Sequence, residues 1–155
     1  MEIRELQEKD ETGLRKLILS VYDESPNATT FGSRPTDSLL AELFARKMSG
    51  MRNGVAADYV AVEGGSVIAD CEIVRAENGR CVAGVIVSGE NRRHGVGGRL
   101  LDSCLKKAQA LEFGEVYAEI DKRNGGAISF FSSRGFEKQD SGSEGIIRMR
   151  RSLLV

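Results

Sequence analysis

The chain has only three cysteines and one histidine in 155 residues, and only two prolines. An odd number of cysteines, at positions 71, 81 and 104, argues against a disulfide framework or a metal knuckle. Cys71, Cys81 and Cys104 are therefore expected to be small core residues in a reducing cytoplasm, and no metal site is expected. No apolar run approaches the length of a membrane span, and the N-terminus is charged from Glu2, which argues against membrane insertion and a visible export signal. Lys and Arg total 22 against 23 Asp and Glu, so with a net charge of −1 no overall basic field draws the chain to nucleic acid or to an anionic membrane surface. Repeats and low-complexity linkers are also missing. The length suits one domain over residues 1–155, burying about two-thirds of its unfolded surface; a homodimer stays open.

Two nucleotide motifs are absent too. No Gly-x-x-x-x-Gly-Lys-Ser/Thr run occurs, and a Gly-x-Gly-x-x-Gly fingerprint starting at Gly95 fails because Leu100 stands at its last position. What is present is Arg92-Arg93-His94-Gly95-Val96-Gly97-Gly98, set between an apolar run, Cys81 to Val87, and a helical pattern. The first reads as a buried strand, being short, β-branched and bounded by glycine. The second places Val96, Leu100, Leu101, Cys104, Leu105, Ala108 and Leu111 on one stripe, with Asp102, Lys106 and Lys107 off it. Glycines at a helix start let backbone N–H groups approach a ligand, and those groups with the helix dipole favour negative charge. The loop calls for a phosphate. His94, beside two arginines, is expected to meet phosphate or solvent rather than to act as a base.

Elsewhere, Ile3 and Leu6 begin a first strand, and a helix follows from a candidate cap at Asp10, with Leu14, Leu17, Ile18, Val21 and Tyr22 on one face. Asp23 to Asp37 holds both prolines and reads as a loop or broken helix; Leu39, Leu40, Leu43, Phe44 and Met48 mark a second helix. Strands over 58–62 and 67–74 join through Gly64-Gly65, and Asn78-Gly79 signals a type I′ turn. A strand over 115–121, a helix from Asn124, and a final strand near 146–149 complete the pattern, with Arg148, Arg150 and Arg151 read as a solvated edge strand. Tyr22, Tyr59 and Tyr117 are spaced like aromatics at the core's margin. The order β, α, α, β, β, β, α, β, α, β, β gives an α/β domain with a mixed, mostly antiparallel sheet and helices on both faces.

Arg92, Gly95 and Gly97 satisfy Arg/Gln-x-x-Gly-x-Gly/Ala, which resembles the coenzyme A pyrophosphate loop of the GNAT superfamily of N-acetyltransferases. The likeness continues in order: Val87 sits five residues before Arg92, and Asn124, Ala127, Phe130, Phe131, Gly135 and Phe136 resemble the family's Asn-x-x-Ala-x-x-aromatic-aromatic-x-x-x-Gly-Phe segment. It spans about 80–136. The resemblance implies a GNAT-like sheet whose one parallel strand pair splays to admit acetyl-coenzyme A. It would pair the pantetheine arm with backbone of Val85 and Val87, seat the pyrophosphate on Arg92, Arg93 and His94 and the amides through Gly95, Val96, Gly97 and Gly98, and bring Asn124 near the arm.

The implied chemistry is acetyl transfer to a primary amine of a small molecule or protein. With a pKa of roughly 10.4, about one such amine in a thousand is neutral at pH 7, so a base or a desolvated pocket is needed. The candidates are Glu72, Glu90, Glu119 and Asp121; Glu119 shares a strand face with Tyr117 and Asp121, opposite Val116, Ala118 and Ile120. The ordinary alternative for each carboxylate is a solvated strand residue. Phe131 stands where many relatives carry a tyrosine that protonates the leaving thiolate, so water, Ser132 or Ser133 would donate instead; Phe131 also fits plain core packing. Acceptor contacts are expected from 23–52 and from 140–145. Asp23, Glu24 and Asp37 favour a cationic amine, or form a solvated acidic loop. The second functional class is a non-catalytic acyl-coenzyme A-binding or sensing module.

Overall fold

The computed structural model describes residues 1–139 and 143–154. In chain order its elements are β1 (Glu2–Glu5), α1 (Glu11–Glu24), α2 (Asp37–Arg52), β2 (Ala56–Glu63), β3 (Ser66–Arg75), β4 (Arg80–Val87), α3 (Val96–Ala110), β5 (Glu115–Asp121), α4 (Gly125–Ser132), β6 (Glu137–Gln139) and β7 (Ile146–Ser152). The strands form one sheet in the order β1-β2-β3-β4-β5-β7-β6. Among the described residues only β4 and β5 run parallel; every other neighbouring pair is antiparallel. The Asn78-Gly79 turn has positive φ at both residues (58° and 72°), as a type I′ hairpin demands, and it sets the β3–β4 register of Glu72 opposite Gly84.

Helices cover both faces. The apolar stripe of α3 buries Leu100, Leu101, Cys104 and Ala108 completely, against Cys71 and Ile73 of β3 and Cys81 of β4. Each fully buried leucine contributes about 1.5–3 kcal/mol relative to exposure. On the other face Leu14, Leu17 and Val21 of α1 and Leu40 and Phe44 of α2 enclose Val60. The three cysteines are free and buried; Cys104 donates its thiol to the Cys71 carbonyl at 3.2 Å, and burial pushes the Cys81 thiol up to about 12. No helix among the described residues is long and apolar enough to cross a membrane.

Three expectations need correction. Asp10 does not cap α1 with its side chain; it accepts two hydrogen bonds from Arg4, at 2.7 and 2.9 Å, and one from the Gln7 N–H, tying β1 to the start of α1. The strand carrying Arg148, Arg150 and Arg151 is not an edge, because β6 adds outside it. Arg148 instead stacks 4.2 Å over the Tyr117 ring, and Arg151 donates to the Arg134 carbonyl. Tyr117 is accordingly buried rather than marginal, at 6% exposure.

Candidate active site

The parallel pairing of β4 with β5 ends at Ala83 opposite Ala118, although β4 continues to Val87 and β5 to Asp121. Ser88 donates its N–H to Ile68 on the β3 side, while Gly79 accepts from Gly114 on the β5 side. Alternate residues of β4 therefore face opposite neighbours, with Gly84 and Ile86 toward β3 and Val85 and Val87 toward β5. Beyond the last pair, Val85 and Val87 have no strand partner on that side. The Val87 carbonyl accepts from Arg92 Nε at 3.3 Å, which folds the loop back onto the end of the strand.

A cavity of about 600 Å³ opens from this gap toward the start of α3. Gly95, at φ 78°, is the N-cap of α3, and no side chain caps the helix, so the amides of its first turn are left for a ligand. A Cβ on Gly97 would lie 3.4 Å from both Val87 and Phe130, and one on Gly98 would overlap the Arg134 guanidinium. A side chain at Gly97 would thus fill the space against Val87 and Phe130, and one at Gly98 would push the Arg134 guanidinium off the cradle. Arg93 and Arg134 add positive charge to the lining, and Arg134 stacks 5.0 Å over the Phe130 ring with its buried Nε unpartnered. The cradle fits the diphosphate of coenzyme A: amides left unpaired at the helix start, cations, and open room over the glycines. Arg134 was not legible in advance, since nothing in its spacing marks it.

A second cavity, of about 710 Å³, opens on the α1–α2 face of the sheet. The two share Ala28, Val85, Ile86, Asn124, Ala127 and Phe131 as walls. Asn124 caps α4 by accepting from the Ala127 N–H at 3.1 Å, which leaves its amide N–H groups available at the junction. Phe131 is 5% exposed and meets Phe130 and Phe136 edge-on, at centroid distances of 5.1 and 5.0 Å. It is a packed core residue and a wall of both cavities at once.

The floor of the second cavity is acidic. Lys47 of α2 donates to Asp58 Oδ2 at 2.7 Å, to Asp70 Oδ2 at 3.4 Å and to Glu72 Oε2. Burial alone would lower the Lys47 pKa, but the charges of Asp70, Asp58 and Glu72 outweigh it and hold the ammonium well above its ordinary value. Burial, then the neighbouring Asp70 charge, push Asp58 well above the carboxylate range. Asp58 and Asp70 each retain a buried Oδ1 with no hydrogen-bond partner. A pattern did mark this cluster, because Lys47 falls on the apolar stripe of Leu40, Leu43 and Phe44, and Asp58 alternates with the buried Val60.

The four candidate bases separate by partner. Glu72 is held by Lys47. Asp121 takes two side-chain bonds and one backbone bond from Arg123, which hold its pKa at about 2. Glu90 is exposed and lines neither cavity. Glu119 faces the second cavity, is exposed, and has no hydrogen-bond or ion-pair partner among the described residues. Other candidates stand aside: His94 is exposed and outside both linings, as are Ser132 and Ser133, and the Ser133 hydroxyl donates to Phe130. Asp23 is paired with Arg34 and Glu24 with Arg92, while Asp37 begins α2, so the acidity expected from them comes instead from the sheet. The helical segment does contribute Leu43, Arg46 and Lys47, whereas Asp140, Ser141 and Gly142 lie outside the described residues.

A search by sequence among curated proteins finds no match. Solved structures share the fold at low identity. A ribosomal-protein-alanine N-acetyltransferase from Brucella melitensis aligns at TM-score 0.79 and 21% identity, covering 98% of this chain and 99% of that one. A GNAT superfamily phosphinothricin acetyltransferase from Sinorhizobium meliloti, in complex with acetyl-CoA, aligns at 0.81 and 22%, covering 97% and 87%. The PaiA N-acetyltransferase from Thermoplasma acidophilum, in complex with coenzyme A, aligns at 0.76 and 15%, covering 97% and 98%. The sequence pattern described as Acetyltransferase (GNAT) family matches residues 10–136. With that match across most of its length, the chain belongs to the GNAT acetyltransferase family.

Proposed function

We propose that this protein transfers the acetyl group of acetyl-coenzyme A directly to a primary amine. The observation that carries this reading is the meeting of the two cavities along shared walls, at the place where β4 and β5 part. A cofactor cradle alone would suit a binding module, but a second, carboxylate-lined chamber opening onto the same gap suits an acceptor.

The first-turn amides of α3, with Arg93 and Arg134, would hold the diphosphate. The backbone of Val85 and the N–H of Val87, free of strand pairing, and the side-chain amide of Asn124 would hold the arm. When bound, acetyl-coenzyme A supplies a thioester carbon open to attack and a sulfur that departs as the thiol. Glu119 is the base: of the candidates lining the acceptor cavity it alone lacks a cation partner among the described residues, so its oxygens are available to take a proton from the incoming ammonium. The neutral amine then forms the amide bond as the carbon–sulfur bond breaks, and its second proton ends on the thiol. Phe131 cannot supply that proton, and a thiol of pKa near 8.5 leaves with little assistance, so water at the gap suffices.

Steady-state release of free thiol with a panel of amines tests the reading. Amine-dependent release is expected, with Glu119→Gln lowering kcat/KM by about 10²–10⁴-fold. Cofactor binding with no thiol release for any amine would favour the non-catalytic module.

A further inference from the structure

The floor of the acceptor cavity has an arrangement beyond what transfer to a simple amine requires. Glu72 on β3 lies opposite Gly84 on β4, and Glu119 on β5 follows Ala118, whose partner is Ala83. Two carboxylates thus lie on either side of a glycine, with Glu119 on the strand that parts from β4 just beyond Ala118. A Cβ on Gly84 would meet nothing within 4 Å, so the space between them is open.

On the Glu72 side, Lys47 engages only part of the negative charge. It takes Oδ2 of Asp70 and Oε2 of Glu72. Asp70 is 5% exposed and lines the cavity, but its Oδ1 is shut away from solvent beside Asp58, whose carboxyl it raises. Glu72 engages Lys47 through Oε2 alone, is 30% exposed and lines the cavity, so its other oxygen is the one that a cationic ligand can meet. The lining's other cation, Arg46, is exposed on α2. On the other side Glu119 has no partner among the described residues, while Asp121 is already paired with Arg123.

We infer that the acceptor carries two cationic nitrogens, one presented beside Glu119 for acetylation and the other held by Glu72 across the open floor at Gly84. This rests on the transfer reading and adds the acceptor's chemical class. A free diamine and a peptide amine with a neighbouring lysine share that chemistry, and the test separates them.

The test compares kcat/KM for four acceptors on the intact protein: an n-alkylamine, the α,ω-diamine of equal length, the ω-amino acid of equal length, and a Gly-Lys dipeptide. The diamine is expected to exceed the monoamine on the order of 10–100-fold, the worth of a charged hydrogen bond in a buried site, and the amino acid to fall below both. A dipeptide outperforming the diamine would keep the two-cation rule and assign the peptide source. Glu72→Gln should shrink the diamine-to-monoamine ratio by about tenfold, a change that general misfolding would not produce, and the wild-type ratio stands by itself if that variant is unstable. Equal rates for monoamine and diamine, or preference for the amino acid, overturn the inference while transfer survives. If no amine releases thiol, the transfer reading fails and the inference falls with it.

Discussion

The ammonium of Lys47 lies 2.7 Å from Asp58 Oδ2, joining α2 to the strand beneath it. Lys47 is 10% exposed and Asp58 1%, so the pair is withdrawn from water. Breaking such a pair costs more than forming it contributes, because the remaining charges stay buried. Lys47→Met is expected to lower unfolding free energy by about 3–5 kcal/mol in urea titrations. The solvent-facing Glu119→Gln should stay within about 0.5 kcal/mol of the parent. Equal stability of the parent and Lys47→Met would show that the cluster has little structural weight.

Acid sensitivity should report Asp10. Hydrogen bonds from Arg4 hold its carboxyl below the ordinary range, so the folded state binds that proton less readily than the unfolded chain. The stabilisation is therefore fully present above the unfolded value of about 3.9 and is lost as pH falls through the lower folded value. Asp10→Asn should flatten the fall in urea midpoint below about pH 4. A fall as steep as that of the parent would place the acid-labile groups elsewhere.

Cofactor affinity should depend on glycine at the cradle. Gly97→Val puts bulk against Val87 and Phe130, and coenzyme A binding by titration calorimetry should weaken by at least about tenfold with thermal unfolding still cooperative. Arg134→Ala is expected to weaken binding by a smaller factor, and Arg92→Ala less than Gly97→Val, since Arg92 is already engaged with Val87 and Glu24. Unchanged affinity in Gly97→Val would remove the cradle from the account.

Phe131→Tyr adds a hydroxyl at a wall shared by both cavities. Turnover should rise a few-fold, well short of the 10²–10⁴-fold typical where proton transfer limits the rate. The parent's pH–rate profile should carry no alkaline limb from a phenol near 10. Lost activity in a folded Phe131→Tyr protein would mean that the ring shapes the pocket rather than leaving a donor position vacant.

Where function depends on neighbours in sequence, the chain was readable. The strand, basic loop and α3 are contiguous, and their apolar periods and glycines mark the backbone of the cradle, to which α4 and its exit add Phe130 and Arg134. The splay was available only through family likeness, since no local pattern says that pairing stops at Ala83 and Ala118. The Lys47 cluster gathers residues 11, 23 and 25 positions apart from three elements, so Glu72 looked like a free base until Lys47 was seen to hold it. Arg148 misled for the same reason: the short β6 pairs outside it, and three residues, two exposed and one half-buried, leave almost no periodic signal.

The central claim is that the two cavities serve one transfer, and an isotope-labelled acetyl group tests it most directly. Protein, acetyl-labelled acetyl-coenzyme A and an amine acceptor are incubated, and label in the amide product is measured against free thiol. The account requires equal amounts of both, abolished together by blocking the cradle with Gly97→Val and greatly slowed by Glu119→Gln. Thiol release with no label on any amine, or tight cofactor binding with no release at all, would contradict it.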